Sequence, residues 1–146
     1  MPDYYITMKA GFIILWVLLV QCLSAQKNEA LKKQIEEVYA YIKCCEIQHP
    51  EIVLRQAIWE TGWFKSDYCL KRHNLFGFRH TQTYMTFTTW QESVEYYKKW
   101  QERRYKDPNE DYYKFLIRIK YATSTEYVSK LKSLRVTIPE VSCGAK

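Results

Sequence analysis

Apolar residues recur at spacings of three and four from Leu31 through Ile35, Val38, Tyr39, Ile42 and Cys45, with lysines and glutamates between them. That period predicts an amphipathic helix over residues 27–47. His49-Pro50 breaks it, and Pro50 suits the first position of a second helix that runs to Glu60 with Val53, Leu54, Ala57 and Ile58 as its buried stripe. Gly62 then stops the helix by permitting a left-handed residue. Between Asp67 and Thr89 the period changes. Asn74-Leu75-Phe76-Gly77 reads as a loop, and residues 84–89 (YMTFTT) alternate with β-branched and aromatic side chains, which predicts a strand in a small, irregular β-hairpin lobe. A third helix is expected over residues 90–105, with Val94, Tyr97 and Trp100 or Gln101 on one side. A turn follows at 106–109, then helices at 111–119 and 124–134, the last capped by Ser124 or Thr125. Residues 135–146 read as a tail tied down through Cys143. The pattern predicts an α+β, mostly helical single domain with a minor β lobe.

Residues 11–20 (GFIILWVLLV) follow Lys9 and precede Leu23-Ser24-Ala25. A charged start, a short apolar core and a small-residue cleavage site make a secretory signal peptide over residues 1–25. The run is too short to span a bilayer, which takes about 20 residues. A lipoprotein modified at Cys22 is the alternative, disfavoured by the bulk of Gln21. The expected product is an exported chain of residues 26–146 in the periplasm or cell envelope, or secreted, with no stable membrane span after cleavage. One acid (Asp3) and one base (Lys9) leave with the leader, so the formal charge of +6 is retained. A basic exported protein suits an anionic polymer such as bacterial cell wall, whereas export argues against nucleic acid. Cys44, Cys45, Cys69 and Cys143 allow two disulfides, and adjacent Cys44 and Cys45 need different partners. No CxxC spacing exists and His49, His73 and His80 lack metal spacing, so no metal and no organic cofactor are expected.

The chemistry concentrates in Gln56-Ala57-Ile58-Trp59-Glu60-Thr61-Gly62-Trp63. A carboxylate set between two tryptophans loses hydration, and a helix C-terminus is the negative end of the helix dipole. Both effects raise its pKa and suit it to donate a proton near neutrality. The bland alternative is a carboxylate that merely reaches water at a helix end. Thirteen tyrosines and five tryptophans exceed the needs of a core this size. Trp59 reads as packing and Trp63 as nearer a groove, while Tyr84, Tyr112 and Tyr127 are candidate platforms for sugar faces.

Four segments in order, Glu60-Thr61-Gly62-Trp63-Phe64-Lys65-Ser66, Asn74-Leu75-Phe76-Gly77-Phe78, residues 90–97 (WQESVEYY) and Tyr121-Ala122-Thr123 followed by Tyr127, resemble the glucosaminidase domain of glycoside hydrolase family 73. The resemblance covers about residues 50–134. It implies a lysozyme-like fold that cleaves after N-acetylglucosamine in the glycan strands of peptidoglycan, like the bacterial autolysins of that family; a monomer is expected. It also implies that Glu60 is the general acid, that Tyr121 places a hydroxyl in the cleft, and that Asn74, Phe76 and Gly77 shape the groove floor. Two departures stand out: Phe64 follows the tryptophan where the family often has glycine, and no Asp or Glu lies between Asp67 and Glu92 to supply a second acid.

Most glycosidases use two carboxylates, and substrate assistance is the recognised exception. The expected mechanism therefore pairs Glu60 with attack by the substrate's own acetamido group, oriented or polarised by Tyr121. A lytic transglycosylase on the same scaffold and a wall-binding protein without turnover remain the alternatives. Asp67, Glu92 and Glu95 are weak candidates for a second acid, since helix-opening acids ordinarily serve as caps.

Overall fold

The computed structural model describes residues 3–143, with side chains from Trp16 onward. The chain divides into two units, residues 1–34 and 35–146. The first consists of the leading part of helix α1 (Asp3–Cys44), whose side chains Trp16, Leu18, Leu19 and Leu23 are exposed. Among the described residues no helix is long and apolar enough to cross a membrane. The expected leader lies in this unit, and the second unit begins at Ile35, beyond the expected cleavage position after Ala25.

The second unit holds the last turns of α1, then α2 (Pro50–Glu60), α3 (Asp67–Leu70), β1 (Arg79–His80), β2 (Thr83–Tyr84), α4 (Trp90–Arg104), α5 (Tyr112–Arg118) and α6 (Tyr127–Ser133). This is the mostly helical α+β architecture that the periodicity predicts. The stripes find one another: Ile35, Val38, Tyr39 and Ile42 of α1, Val53, Leu54, Ala57 and Ile58 of α2, Val94 and Tyr97 of α4, Phe115 and Leu116 of α5, and Val128 and Leu131 of α6 are all buried. Helix α6 packs on both α2 and α5. Side chains fix the helix starts. The Thr89 hydroxyl accepts from the Glu92 amide, the Glu92 carboxylate accepts from the Thr88 amide at 2.8 Å, and Asp111 accepts from the Lys114 amide at 2.9 Å.

Three expectations change. The strand is shorter and earlier than 84–89: Arg79 pairs with Tyr84 and His80 with Thr83 in a two-stranded antiparallel ribbon. Beyond it the Met85 amide donates to the Phe78 carbonyl and the Phe87 amide to the Arg72 carbonyl, so this stretch is held by single bonds to a loop rather than by a ladder. Residues 67–70, expected as irregular, form the short α3 because Ser66 accepts from the Cys69 amide. Helix α6 starts at Tyr127 with Glu126 at its N-cap, and neither Ser124 nor Thr125 caps it. Ser124 instead accepts from the Glu126 amide, making a turn just before the helix.

The tail is tied down as expected. Cys44 and Cys143 form a disulfide across a sequence separation of 99, and Lys43 donates to the Val141 carbonyl at 2.8 Å. Closing so long a loop restricts the unfolded chain strongly. The second bridge does not form at Cys69, whose thiol donates to the Glu60 backbone carbonyl.

Candidate active site

The candidate residues sit at two helix ends of the same kind. Helix α2 closes with the Trp63 amide donating to the Ile58 carbonyl and the Gly62 amide to the Trp59 carbonyl, with Gly62 left-handed at φ 56°. Helix α5 closes with the Tyr121 amide on the Leu116 carbonyl and the Lys120 amide on the Ile117 carbonyl, with Lys120 left-handed at φ 51°. Both are Schellman ends, which turn the chain sharply and fix the residues on either side of the turn. One end positions Glu60 and the other Tyr121. The α2 end is reinforced by Thr61, which is fully buried. Its hydroxyl donates to the Ala57 carbonyl at 2.7 Å and accepts from the Phe64 amide at 3.0 Å. Trp63 and Phe64 follow in the left-handed region as well, a run that only such tethering sustains.

Between these ends lies a cavity of about 450 Å³ lined by Glu60, Phe76, Gly77, Phe78, Arg79, Tyr84, Trp100, Arg104, Lys120 and Tyr121, with Ile119, Ala122 and Thr123 completing the wall. Glu60 is its only carboxylate among the described residues. Burial raises the Glu60 pKa above the ordinary carboxylate value, opposed by a hydrogen bond from Tyr127 and by the positive charge of Arg79. The net direction favours the protonated acid. Neither tryptophan is among the residues that line the cavity. Helical neighbours point about 100° apart, and Trp59 is 39 % exposed with Lys130 over its ring, while Trp63 is not among the cavity residues. The carboxyl group lies instead against Gly77, where a Cβ would stand 2.9 Å from Glu60 Oε2.

Phe76, Tyr84 and Tyr121 line the cavity as the sequence suggested, joined by Phe78 and Trp100. Tyr84 is set by Arg79, whose guanidinium stacks on its ring at 3.9 Å and donates to its hydroxyl. The Tyr121 hydroxyl donates to the Phe76 carbonyl at 2.8 Å, so its proton is committed and its oxygen is left to accept. Asn74 is buried and does not face the cavity. Its amide donates to the Phe78 and Met85 carbonyls at 2.9 and 3.0 Å and accepts from the Phe78 amide at 3.0 Å, which shapes the loop from behind. Tyr127 and Tyr112 are also buried. Tyr127 stacks on Tyr121 and borders a second cavity of about 440 Å³ that shares Lys120, Ala122 and Thr123 with the first.

The weak acid candidates take bland roles: Glu92 caps α4, Glu95 accepts from the Tyr41 hydroxyl at 2.7 Å, and Asp67 opens α3. Among the described residues no group of three or more His, Cys, Asp or Glu is placed to hold a metal ion.

Sequence reasoning missed a buried polar row behind Glu60. Gln101 Oε1 accepts from the Gln48 amide and Gln101 Nε2 donates to the Gln48 carbonyl, both at 2.9 Å. The same Nε2 donates to the Tyr112 hydroxyl at 2.9 Å, and the Tyr112 and Tyr97 hydroxyls are 2.7 Å apart. Tyr97 donates to Gln56 Oε1 at 2.6 Å, and Gln56 Nε2 donates to the Tyr127 hydroxyl at 3.3 Å. Tyr127 lies close enough to Glu60 to oppose the rise in the pKa of its carboxyl group. The available signal was the presence of glutamines on otherwise apolar faces: Gln56 beside Ala57 and Gln101 one turn after Tyr97.

The chain matches the glucosaminidase family, described as mannosyl-glycoprotein endo-beta-N-acetylglucosaminidase, over residues 36–138. It belongs to that family and is a glycoside hydrolase acting on glycans. No curated protein and no solved structure gives a match.

Proposed function

We propose that the protein is an exported endo-β-N-acetylglucosaminidase that cleaves after N-acetylglucosamine in peptidoglycan strands, working as a monomer with Glu60 as general acid. The observation that carries this reading is the isolation of Glu60: one partly buried carboxylate, its pKa raised by burial, on the wall of a cavity that offers no second acid among the described residues. An acid alone supports protonation of the leaving glycosidic oxygen. The nucleophile is then the carbonyl oxygen of the substrate's own acetamido group, which bonds to the anomeric carbon as the glycosidic bond breaks. Water subsequently attacks that carbon and returns a proton to Glu60. Tyr121 suits the orienting role in one polarity only. Its oxygen, having given its proton to Phe76, accepts from the acetamido N–H, and this increases the electron density on the attacking carbonyl. Phe76, Phe78, Tyr84 and Trp100 supply rings for sugar faces.

Charge supports the wall strand over a neutral glycan. Arg79, Arg104 and Lys120 border the cavity against the single acid. Lys120 stands at a left-handed position that glycine fills at least cost, and a side chain there costs about 1–2 kcal/mol of backbone strain. Export rests on the apolar run at residues 11–20 and the small-residue site at Ala25, with residues 26–146 as the mature chain. The cysteine usage agrees, with Cys44 bridged to Cys143.

Digestion of purified wall, with fragment ends read by mass spectrometry, tests the reaction. Reducing-end N-acetylglucosamine is the expected product, and anhydromuramyl ends would establish a transglycosylase instead. The charge argument has its own measurement. Replacing Arg104 and Lys120 together by alanine is expected to raise KM on wall strands roughly tenfold while leaving neutral N-acetylglucosamine oligomers unaffected. Equal losses on both substrates would remove charge as the selector.

A further inference from the structure

The connection from α5 to α6, residues 119–126, borders two cavities at once. Lys120, Ala122 and Thr123 line the cavity that holds Glu60, and the same three residues line the second cavity of about 440 Å³. Leu116 and Ile117 of α5 and Val128 of α6 give the second cavity its apolar side, and Ser124 and Thr125 come from the connection itself. The shared wall is pinned at both ends. At the α5 end the Tyr121 amide donates to the Leu116 carbonyl and its hydroxyl to the Phe76 carbonyl at 2.8 Å. At the α6 end the Tyr127 amide donates to the Ser124 carbonyl, and the Ser124 hydroxyl accepts from the Glu126 amide. A preformed, mainly apolar cavity with a few polar groups is the usual form of a ligand site, which spans about 300–1,000 Å³. Ile117 is 60 % exposed there, more than any other large apolar side chain described in residues 35–146. Lys120 is the one charged residue on the wall, and no carboxylate lines it among the described residues. Glu126, the only acid of the connection, pairs with Lys130 at 3.1 Å.

We propose that the second cavity binds the peptide arm of the wall strand, so that the enzyme selects strands whose muramyl sugars carry peptides. The proposal rests on the reading of the protein as a glucosaminidase of peptidoglycan. In that reaction the muramyl sugar is the leaving group, and its glycosidic oxygen takes the proton from Glu60. The adjacent ring carbon carries the lactyl group on which the peptide begins. However the strand lies, the peptide therefore starts within one sugar ring of the acid and must leave the cavity across one of its walls. The wall of Lys120, Ala122 and Thr123 opens onto a second cavity, and two of its three side chains are small. The chemistry of the arm matches that of the lining. Wall peptides are short, bear methyl side chains and end in free carboxylates. Leu116, Ile117 and Val128 offer apolar surface to the methyl groups, and the exposed Thr123 and Thr125 offer hydroxyls to the peptide amides. Lys120, common to both cavities, offers its charge to a carboxylate of the arm. A neutral N-acetylglucosamine oligomer has no arm and leaves the second cavity empty.

Glycan strands with their peptides, and the same strands after amidase treatment, provide the test. The amidase leaves the lactyl carboxylate on the sugar, so a difference between the two substrates reports the peptide rather than the charge of the strand. KM is expected to be about tenfold lower on the peptide-bearing strands, the gain from burying about two methyl groups. The kcat values should agree, because this contact is the same before and during the reaction. Ile117→Glu sets a like charge against the peptide carboxylates at an exposed helical position, and Thr125→Trp fills the cavity from the connection. Each is expected to erase the preference. Equal KM values in the wild type, or a preference that survives both variants, would overturn the inference. Binding is also read apart from the reaction, in nitrogen-15-labelled Glu60→Gln. N-acetylmuramyl dipeptide is expected to shift the amide resonances of Ile117, Thr125 and Val128, and N-acetylmuramic acid is not. If wall digests yield no reducing-end N-acetylglucosamine while these resonances move, the reaction is misread and the peptide site stands. If the digests yield it and the resonances stay in place, the peptide site is refuted and the reaction stands.

Discussion

Replacing Glu60 by glutamine is expected to reduce the rate of wall cleavage by about 10²–10⁴-fold, the range that a positioned general acid contributes. Glutamine keeps the size of the side chain, so the cavity is preserved while the transferable proton is removed. Stability separates chemistry from folding. The folded Glu60 pKa is raised, chiefly by burial. The folded state therefore holds its proton at pH values where the unfolded chain has released it. Between the ordinary carboxylate value and the raised one, the wild type loses stability as pH rises. Glutamine has no such dependence. Thermal unfolding of the variant should match the wild type at low pH and exceed it at neutral pH. A variant that still cleaves wall at the wild-type rate would remove Glu60 from the mechanism, whatever its melting temperature.

Much of this site is legible in the sequence because it is built from local chain geometry. Pro50 starts α2 and Gly62 ends it, so Glu60 at a helix C-terminus follows from two residues and a period. Tyr121 was legible through the segment that contains it. What was not legible depends on contacts between distant residues. The reason for the shift in Glu60 is an example. Trp59 and Trp63 flank it in sequence, yet neither lines the cavity, and the carboxyl group lies against Gly77, 17 residues on. Tyr127 reads as a sugar platform because an aromatic residue in a motif looks the same whether open or buried, and Asn74 reads as part of the groove floor. The fold makes Asn74 a clamp of that loop and buries Tyr127. The hairpin was misplaced for a related reason: alternation at residues 84–89 is real, but the ladder forms where a partner strand exists, at Arg79–His80.

The arrangement of glycines separates two causes that usually act together. Gly62 and Gly77 are both left-handed, at φ 56° and 66°. A Cβ on Gly62 would meet nothing within 4 Å, whereas one on Gly77 would stand 2.9 Å from Glu60 Oε2 and 3.5 Å from its carboxyl carbon. Alanine at either position therefore adds a similar backbone penalty, about 1–2 kcal/mol. Only Gly77→Ala also displaces the acid. We expect Gly62→Ala to lower the melting temperature and leave the activity of the folded enzyme near wild type. Gly77→Ala should lower it comparably and reduce kcat by about 10²-fold, the cost of moving a reacting group by about an ångström. The displaced carboxyl cannot retreat with its backbone, because Cys69 donates to the Glu60 backbone carbonyl. Its remaining freedom is rotation away from the position facing the glycosidic oxygen, which is why the loss should fall on kcat rather than on KM. Equal activity in the two variants would mean that Gly77 is required by the turn alone and that the acid has room to move.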